Sequence, residues 1–229
     1  MKIRSLVLAI ATLATVASAH AAIQTADYGS YTVSYDDSTI FGGPTFNSSG
    51  GAGSVGFGWS IPDSVNASSS GLPITLFQLP DFTISAKAGW SLSGAFTASI
   101  GNLIFVEAGG LTGVTAGGSV SVDGAPSIAF GGGLDRTVTI SAPELTVGYF
   151  SGAATVPLGS FSTLLVTGGT LHLLTDGGPL GGFATIAAQP QNTLSFGFVA
   201  APVPEPESYA MLLAGLAVVG SMARRRRQD

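Results

Sequence analysis

The chain has 229 residues, of which only 8 are Lys or Arg and 13 are Asp or Glu, while 33 are Gly, 12 are Pro and none is Cys. This length suits one domain of ordinary or generous size, and the composition excludes a coiled coil, a disulfide scaffold, a thiolate zinc site and a cysteine nucleophile. Between Ile23 and Val203 ten acidic residues face two cations, Lys87 and Arg136, a net charge of −8; with no basic patch to neutralise phosphates, nucleic acid is disfavoured as a partner.

The first segment reads Met1-Lys2-Ile3-Arg4, then an apolar stretch from Leu6 to about Val16, then Ala17-Ser18-Ala19-His20-Ala21-Ala22. A positive start, an apolar core too short to span stably and small residues three apart are the pattern of a secretory signal peptide. We expect it over residues 1–21, with cleavage after Ala19 or Ala21 fitting equally well, and with the Sec machinery as its partner. An exported compartment permits disulfides, so a chain without cysteine has to be held by burial and backbone pairing.

The next stretch, residues 22–202, contains no convincing amphipathic helix. Trp90, Leu92, Phe96, Ala98 and Ile100 fall on one face of a period-two pattern, with Ser91, Ser93, Ala95, Thr97 and Ser99 on the other, which is the pattern of a half-buried strand. Gly101-Asn102 predicts a tight turn into Leu103–Val106, because both residues tolerate positive φ. Similar runs at 31–35, 74–79, 82–86, 119–122, 137–142, 145–150, 162–167, 171–175 and 194–199 are separated by glycine pairs. Short strands without intervening helices predict an all-β, antiparallel body of sandwich or jelly-roll type, with a barrel or a β-solenoid as further readings. Residues 38–70, rich in Gly, Ser, Asn and Pro, read as long loops or a loosely ordered flap. The body has one lysine, so its sheet edges lack the usual charge protection, which makes self-association a further expectation.

Side chains able to carry chemistry are few. His172, the one histidine left beyond the signal, lies in Leu171-His172-Leu173 and is expected on a solvent-facing side of a strand; no Gly-x-Ser-x-Gly elbow accompanies it. Gly51-Ala52-Gly53-Ser54-Val55-Gly56 matches G-x-G-x-x-G, but Phe57-Gly58-Trp59-Ser60-Ile61-Pro62 follows as an extended segment rather than a helix, so a dinucleotide site is rejected. One histidine and no cysteine do not build a zinc site; Asp36, Asp37, Asp123, Asp135 and Asp176 could ligate calcium, although Asp beside Gly more often forms turns. No metal, cofactor or catalytic residue is assigned, and the chain is read as a non-enzyme. Among the aromatics, Trp90 is expected in the core and Trp59, in a glycine-rich stretch, on the surface as a glycan contact. A glycan hydrolase would need two converging carboxylates among the ten acids, and sequence spacing does not show which pair; Asp81 and Glu107 flank the strongest hairpin pattern but read equally as solvated strand ends.

The last segment, 203–229, is the most specific. Val203-Pro204-Glu205-Pro206 is followed by an apolar run from Tyr209 to Ala223 and then by Arg224, Arg225, Arg226 and Arg227. Prolines one residue apart cannot sit in a helix interior and mark a linker. The 15-residue run, 209–223, would measure about 22 Å as a helix, against a hydrocarbon core of about 30 Å. It is a marginal span, and the arginines would hold its far end in the cytoplasm.

Pro204-Glu205-Pro206, the short Leu/Ala/Gly helix and the terminal arginine run together resemble the PEP-CTERM sorting signal of Gram-negative bacteria, a segment also catalogued as an ice-binding-protein C-terminal domain. The resemblance implies a single C-terminal transmembrane helix at 209–223. It also implies recognition and cleavage near Pro204, Glu205 and Pro206 by an exosortase, with Arg224–Arg227 as the cytoplasmic stop. The hosts it implies make extracellular polysaccharide or biofilm matrix. Composition and resemblance together predict an exported structural or adhesive protein, held in the inner membrane during sorting and then placed in the cell envelope, outer surface or matrix. A carbohydrate-binding module for the host's own exopolysaccharide, acting through Trp59 or a platform of the tyrosines Tyr28, Tyr31, Tyr35 and Tyr149, is the alternative reading, and a secreted glycan hydrolase a third.

Overall fold

The computed structural model describes residues 23–46, 54–70, 72–189, 193–203 and 206–225. In chain order the strands begin with β1 (Ile23–Asp27), β2 (Tyr31–Asp36), β3 (Thr45–Phe46), β4 (Ser54–Ser60) and β5 (Asn66–Ser68). They continue with β6 (Ile74–Gln78), β7 (Phe82–Ala86), β8 (Trp90–Ala108), β9 (Leu111–Val122) and β10 (Ile128–Gly133). The last are β11 (Asp135–Ala142), β12 (Leu145–Phe161), β13 (Thr163–Asp176), β14 (Phe183–Ala188) and β15 (Thr193–Pro202), before one helix, α1 (Pro206–Arg225). The all-β expectation therefore holds for the body.

The strands form two antiparallel sheets. One runs β1-β2-β7-β13-β9-β10 with β6 also on β13; the other runs β11-β12-β8-β15-β4-β3 with β14 on β8 and β5 on β14. They pack face to face, because the inward aromatics of one meet those of the other: Phe82 of β7 lies 4.7 Å from Phe196 of β15, 5.1 Å from Trp59 and 5.3 Å from Phe57 of β4, centroid to centroid. Aromatic pairs at this spacing add to the burial of each ring, itself worth about 2–3 kcal/mol.

Each sheet is organised on one long strand, β8 or β13. β8 has β12 along one side and, on the other, β15 followed by β14. β13 has β9 along one side and β7 followed by β6 on the other. Both carry a bulge at mid-length. In β8 the inward residues are Leu92, Phe96, Ala98 and Ile100 before Gly101-Asn102, and Leu103 and Phe105 after it. The extra residue there faces Ser151 of β12, where the register slips between Phe150 and Gly152. In β13 the slip falls at Gly168-Gly169, with Gly168 at φ 63°, and the inward set changes from Leu164 and Val166 to Leu171 and Leu173. A single inserted residue reverses which parity faces the core; without it, half of each long strand would turn its leucines to solvent.

Gly101-Asn102 is thus a bulge inside one 19-residue strand and not the expected hairpin turn, since both flanking halves keep a common partner in β12. The expected flap at 38–70 is also corrected in part: it contains β3, β4 and β5, and β4 is an inner strand of its sheet, between β15 and β3.

Candidate functional site

β15 is an inner strand, paired to β8 on one side and β4 on the other, and its last residues lead directly into the C-terminal segment. Pro202 lies opposite Trp90 in the ladder, and the Val203 amide donates to the Gly89 carbonyl at 2.8 Å. The β7–β8 turn that receives it is itself pinned. Trp90 N donates to Lys87 O and Lys87 N to Ser30 O, each at 3.0 Å, while Lys87 Nζ donates to both carboxylate oxygens of Asp27 at 2.5–2.6 Å. The hydrogen bond from Lys87, with that from the Gly29 amide, holds the Asp27 carboxyl below its ordinary range. This pair is largely exposed, so it orients the turn more than it stabilises the fold. Only residues 204 and 205 separate Val203 from α1, which starts at Pro206, a residue suited to a helix's first turn.

α1 presents apolar side chains all round. Met211, Leu212, Leu213, Leu216, Val218 and Val219 are each between 57% and 75% exposed, and three consecutive residues already sweep more than half of a helical turn. Among the described residues no helix is long and apolar enough to cross a membrane, so the expected transmembrane helix at 209–223 is not supported as a full span. The physical reason is the one its length gives, a run about 8 Å short of the hydrocarbon thickness. Pro206, Arg224 and Arg225 fall within α1; Ala19, Ala21, Pro204, Glu205, Arg226 and Arg227 lie outside the described residues.

The body corrects the tryptophan assignment. Trp59 is fully buried, its indole N–H donating to Gly42 O at 2.8 Å and its ring packed on Phe57, Phe82 and Phe196. It is therefore no surface glycan contact: β4 alternates, and the parity that carries Phe57 inward carries Trp59 with it. Trp90, expected in the core, is 38% exposed, because it keeps the inward parity of Leu92 but stands at the strand's first position, past the end of the packed interior.

His172 is exposed on β13, between Leu76 of β6 and Thr115 of β9. The residues after Gly53 form β4, so no helix follows the glycine triplet. The aspartates are turn formers: Asp27, Asp36 and Asp176 each accept from the amide two residues on, and Asp81 from Gly168 N. Asp123, at φ 47°, accepts from the amides of Ser162 and Thr163. Among the described residues no group of three or more His, Asp or Glu is placed to hold a metal ion. Asp81, in the connection between β6 and β7, and Glu107, on β8, have different partners; Glu107 is buried, accepting from Thr112 and paired with Arg136, whose guanidinium lies 4.5 Å from the Phe105 ring centre. This network was not anticipated from sequence, although Arg136 is one of only two cations between Ile23 and Val203.

A half-open groove of about 510 Å³ lies between the sheets beside β10, lined by Phe130, Gly131, Gly132, Leu134, Ile100 and Val156 among others, with no charged side chain. β11 forms a free edge. Among the described residues it pairs only with β12, and all eight of its residues are exposed.

Residues 202–227 match the family model described as the PEP-CTERM protein-sorting motif. No curated protein and no solved structure matches the chain.

Proposed function

We propose, from the PEP-CTERM protein-sorting motif at residues 202–227, that this chain is a non-enzymatic structural or adhesive protein. An exosortase-type system would deliver it across the inner membrane to the outer surface or extracellular matrix. The observation that carries the reading is the motif's attachment: it follows without a linker domain from Val203, the pinned end of an inner strand, so the entire body is the cargo of the sorting signal. Two features support a role in assembly. β11 offers an eight-residue edge with Val138 and Ile140 exposed; Asp135, Arg136 and a bulge between Val138 and Ile140 interrupt it, but its second half carries no charge and no Pro, the kind of edge that recruits another strand. The outer face where β15 meets β8 and β12 carries small side chains in register, Ser195 beside Ser99 beside Ala153 and Gly197 beside Thr97 beside Thr155, a flat surface suited to close stacking. The glycan-binding alternative loses Trp59 as a contact with the burial of that ring.

The test is fractionation of the native host carrying the intact gene or a version truncated before Pro204. The reading predicts body-sized protein in the extracellular matrix for the intact chain and its absence from that fraction for the truncation. Equal matrix recovery of both would overturn it.

A further inference from the structure

The chain that joins β15 to α1 is too short to let the body move freely relative to the helix. From Val203 to Pro206 there are three Cα–Cα steps, at most about 11 Å when fully extended. Val203 is itself fixed to Gly89, and Gly89 adjoins Trp90. Whatever surrounds the first turn of α1 therefore lies within reach of the Lys87–Trp90 turn. A helix that is apolar on every side is matched by an apolar surrounding and not by water, and the four arginines that end and follow it, Arg224 to Arg227, suit phospholipid headgroups.

Resting on the sorting reading above, we propose that the end of the sandwich formed by the Lys87–Trp90 turn and Val203 sits on the lipid headgroup layer while α1 is embedded, with Trp90 as its interfacial anchor. Tryptophan is suited to this position, having a flat apolar body and one N–H donor for the wet headgroup side. Trp90 is 38% exposed and Val203 46% exposed at that end. The charges beside them are Lys87 and Asp27, which neutralise each other, Asp123, which is occupied by two backbone amides, and the acidic residues Glu205 and Glu207 of the sequence leading into and opening α1, which suit the wet headgroup layer rather than the acyl chains. The orientation would place the β7–β8 turn against the membrane and the sheet surfaces away from it.

The two tryptophans make the test direct, because Trp59 is sealed in the core and Trp90 is not. The full chain with its C-terminal segment intact is incorporated into phosphatidylcholine vesicles, a zwitterionic lipid chosen because Asp123, Glu205 and Glu207 add negative charge, with brominated acyl chains in half of the samples. Flotation reports association, and tryptophan emission reports depth. We expect the protein to float, brominated lipid to remove part of the emission, and Trp90→Phe to abolish that loss while the protein still floats. Flotation with no bromine-dependent loss, or with the same loss in Trp90→Phe, overturns the orientation and leaves the sorting reading in place. Failure to float with either lipid overturns both.

Discussion

Glu107 of β8 and Arg136 of β11 form an ion pair across an intervening strand, β12. Glu107 is also the acceptor for both the amide and the hydroxyl of Thr112, at 2.6 Å each, and Thr112 belongs to β9 in the opposite sheet. One carboxylate thus ties an edge strand to the centre of its own sheet and to the facing sheet. Its side chain is 8% exposed and that of Arg136 36%, so loss of the cation leaves a buried negative charge, whereas loss of the carboxylate leaves a guanidinium that water can reach. Arg136→Ala is expected to cost about 2–3 kcal/mol in urea unfolding. The double variant with Glu107→Ala should cost clearly less than the sum of the singles. Additive effects would show that the pair contributes nothing.

Burial separates the two tryptophans in stability as it does in accessibility. Trp59→Ala removes a ring packed on four others, Tyr35, Phe57, Phe82 and Phe196, and is expected to cost about 3–5 kcal/mol, enough to consume much of a small domain's margin. Trp90→Ala should cost less than about 1 kcal/mol. Thermal or denaturant unfolding of the two variants checks the contrast, and similar losses would contradict the packing described.

Much of the architecture was legible because it follows from alternation. The period-two runs at 31–35, 82–86 and 194–199 became β2, β7 and most of β15, since each buries one face and needs nothing distant to explain it. What alternation conceals is a change of phase. Gly101-Asn102 reads equally as a turn or as a bulge, and only the shared partner β12, more than forty residues away, decides for the bulge. Likewise Gly56-Phe57-Gly58-Trp59 reads as loop by its glycines, yet those glycines alternate with two core aromatics, Gly58 lying between them. The end of β8 misled in the opposite sense: Trp90 has core parity, but how far the interior extends along a strand is set by the facing sheet.

Tyr31 makes stability sensitive to alkali. Its hydroxyl is buried, donating to Gly56 O at 3.4 Å, and burial, aided by Tyr28, pushes its pKa well above the ordinary value of 10.0. The folded state therefore keeps the proton where the unfolded chain has lost it. Its contribution is complete below about pH 10 and falls as pH rises beyond, by up to about 1.4 kcal/mol per unit. Unfolding measured at pH 9 and pH 11 should show this decline, and Tyr31→Phe should flatten it. An unchanged slope in the variant would assign the alkaline loss elsewhere.

The uncharged second half of the β11 edge predicts association that added charge can suppress. Val138→Lys with Ile140→Lys places two cations on a strand whose residues are all exposed, so folding should change by no more than about 1 kcal/mol. The apparent dissociation constant of any oligomer should rise at least tenfold, the equivalent of about 1.4 kcal/mol. Light scattering across a concentration series reads both species. A variant that associates as strongly as the parent would remove β11 from the account.

The central claim is that residues 202–227 are a sorting segment removed from a body that functions outside the cell. The most direct measurement is the intact mass of the protein recovered from the native host's culture fluid and from its membranes. The account predicts an extracellular species lacking the residues before about Ala22 and everything beyond about Pro206. An extracellular or membrane form that keeps α1 and the arginine run as its sole product would contradict it.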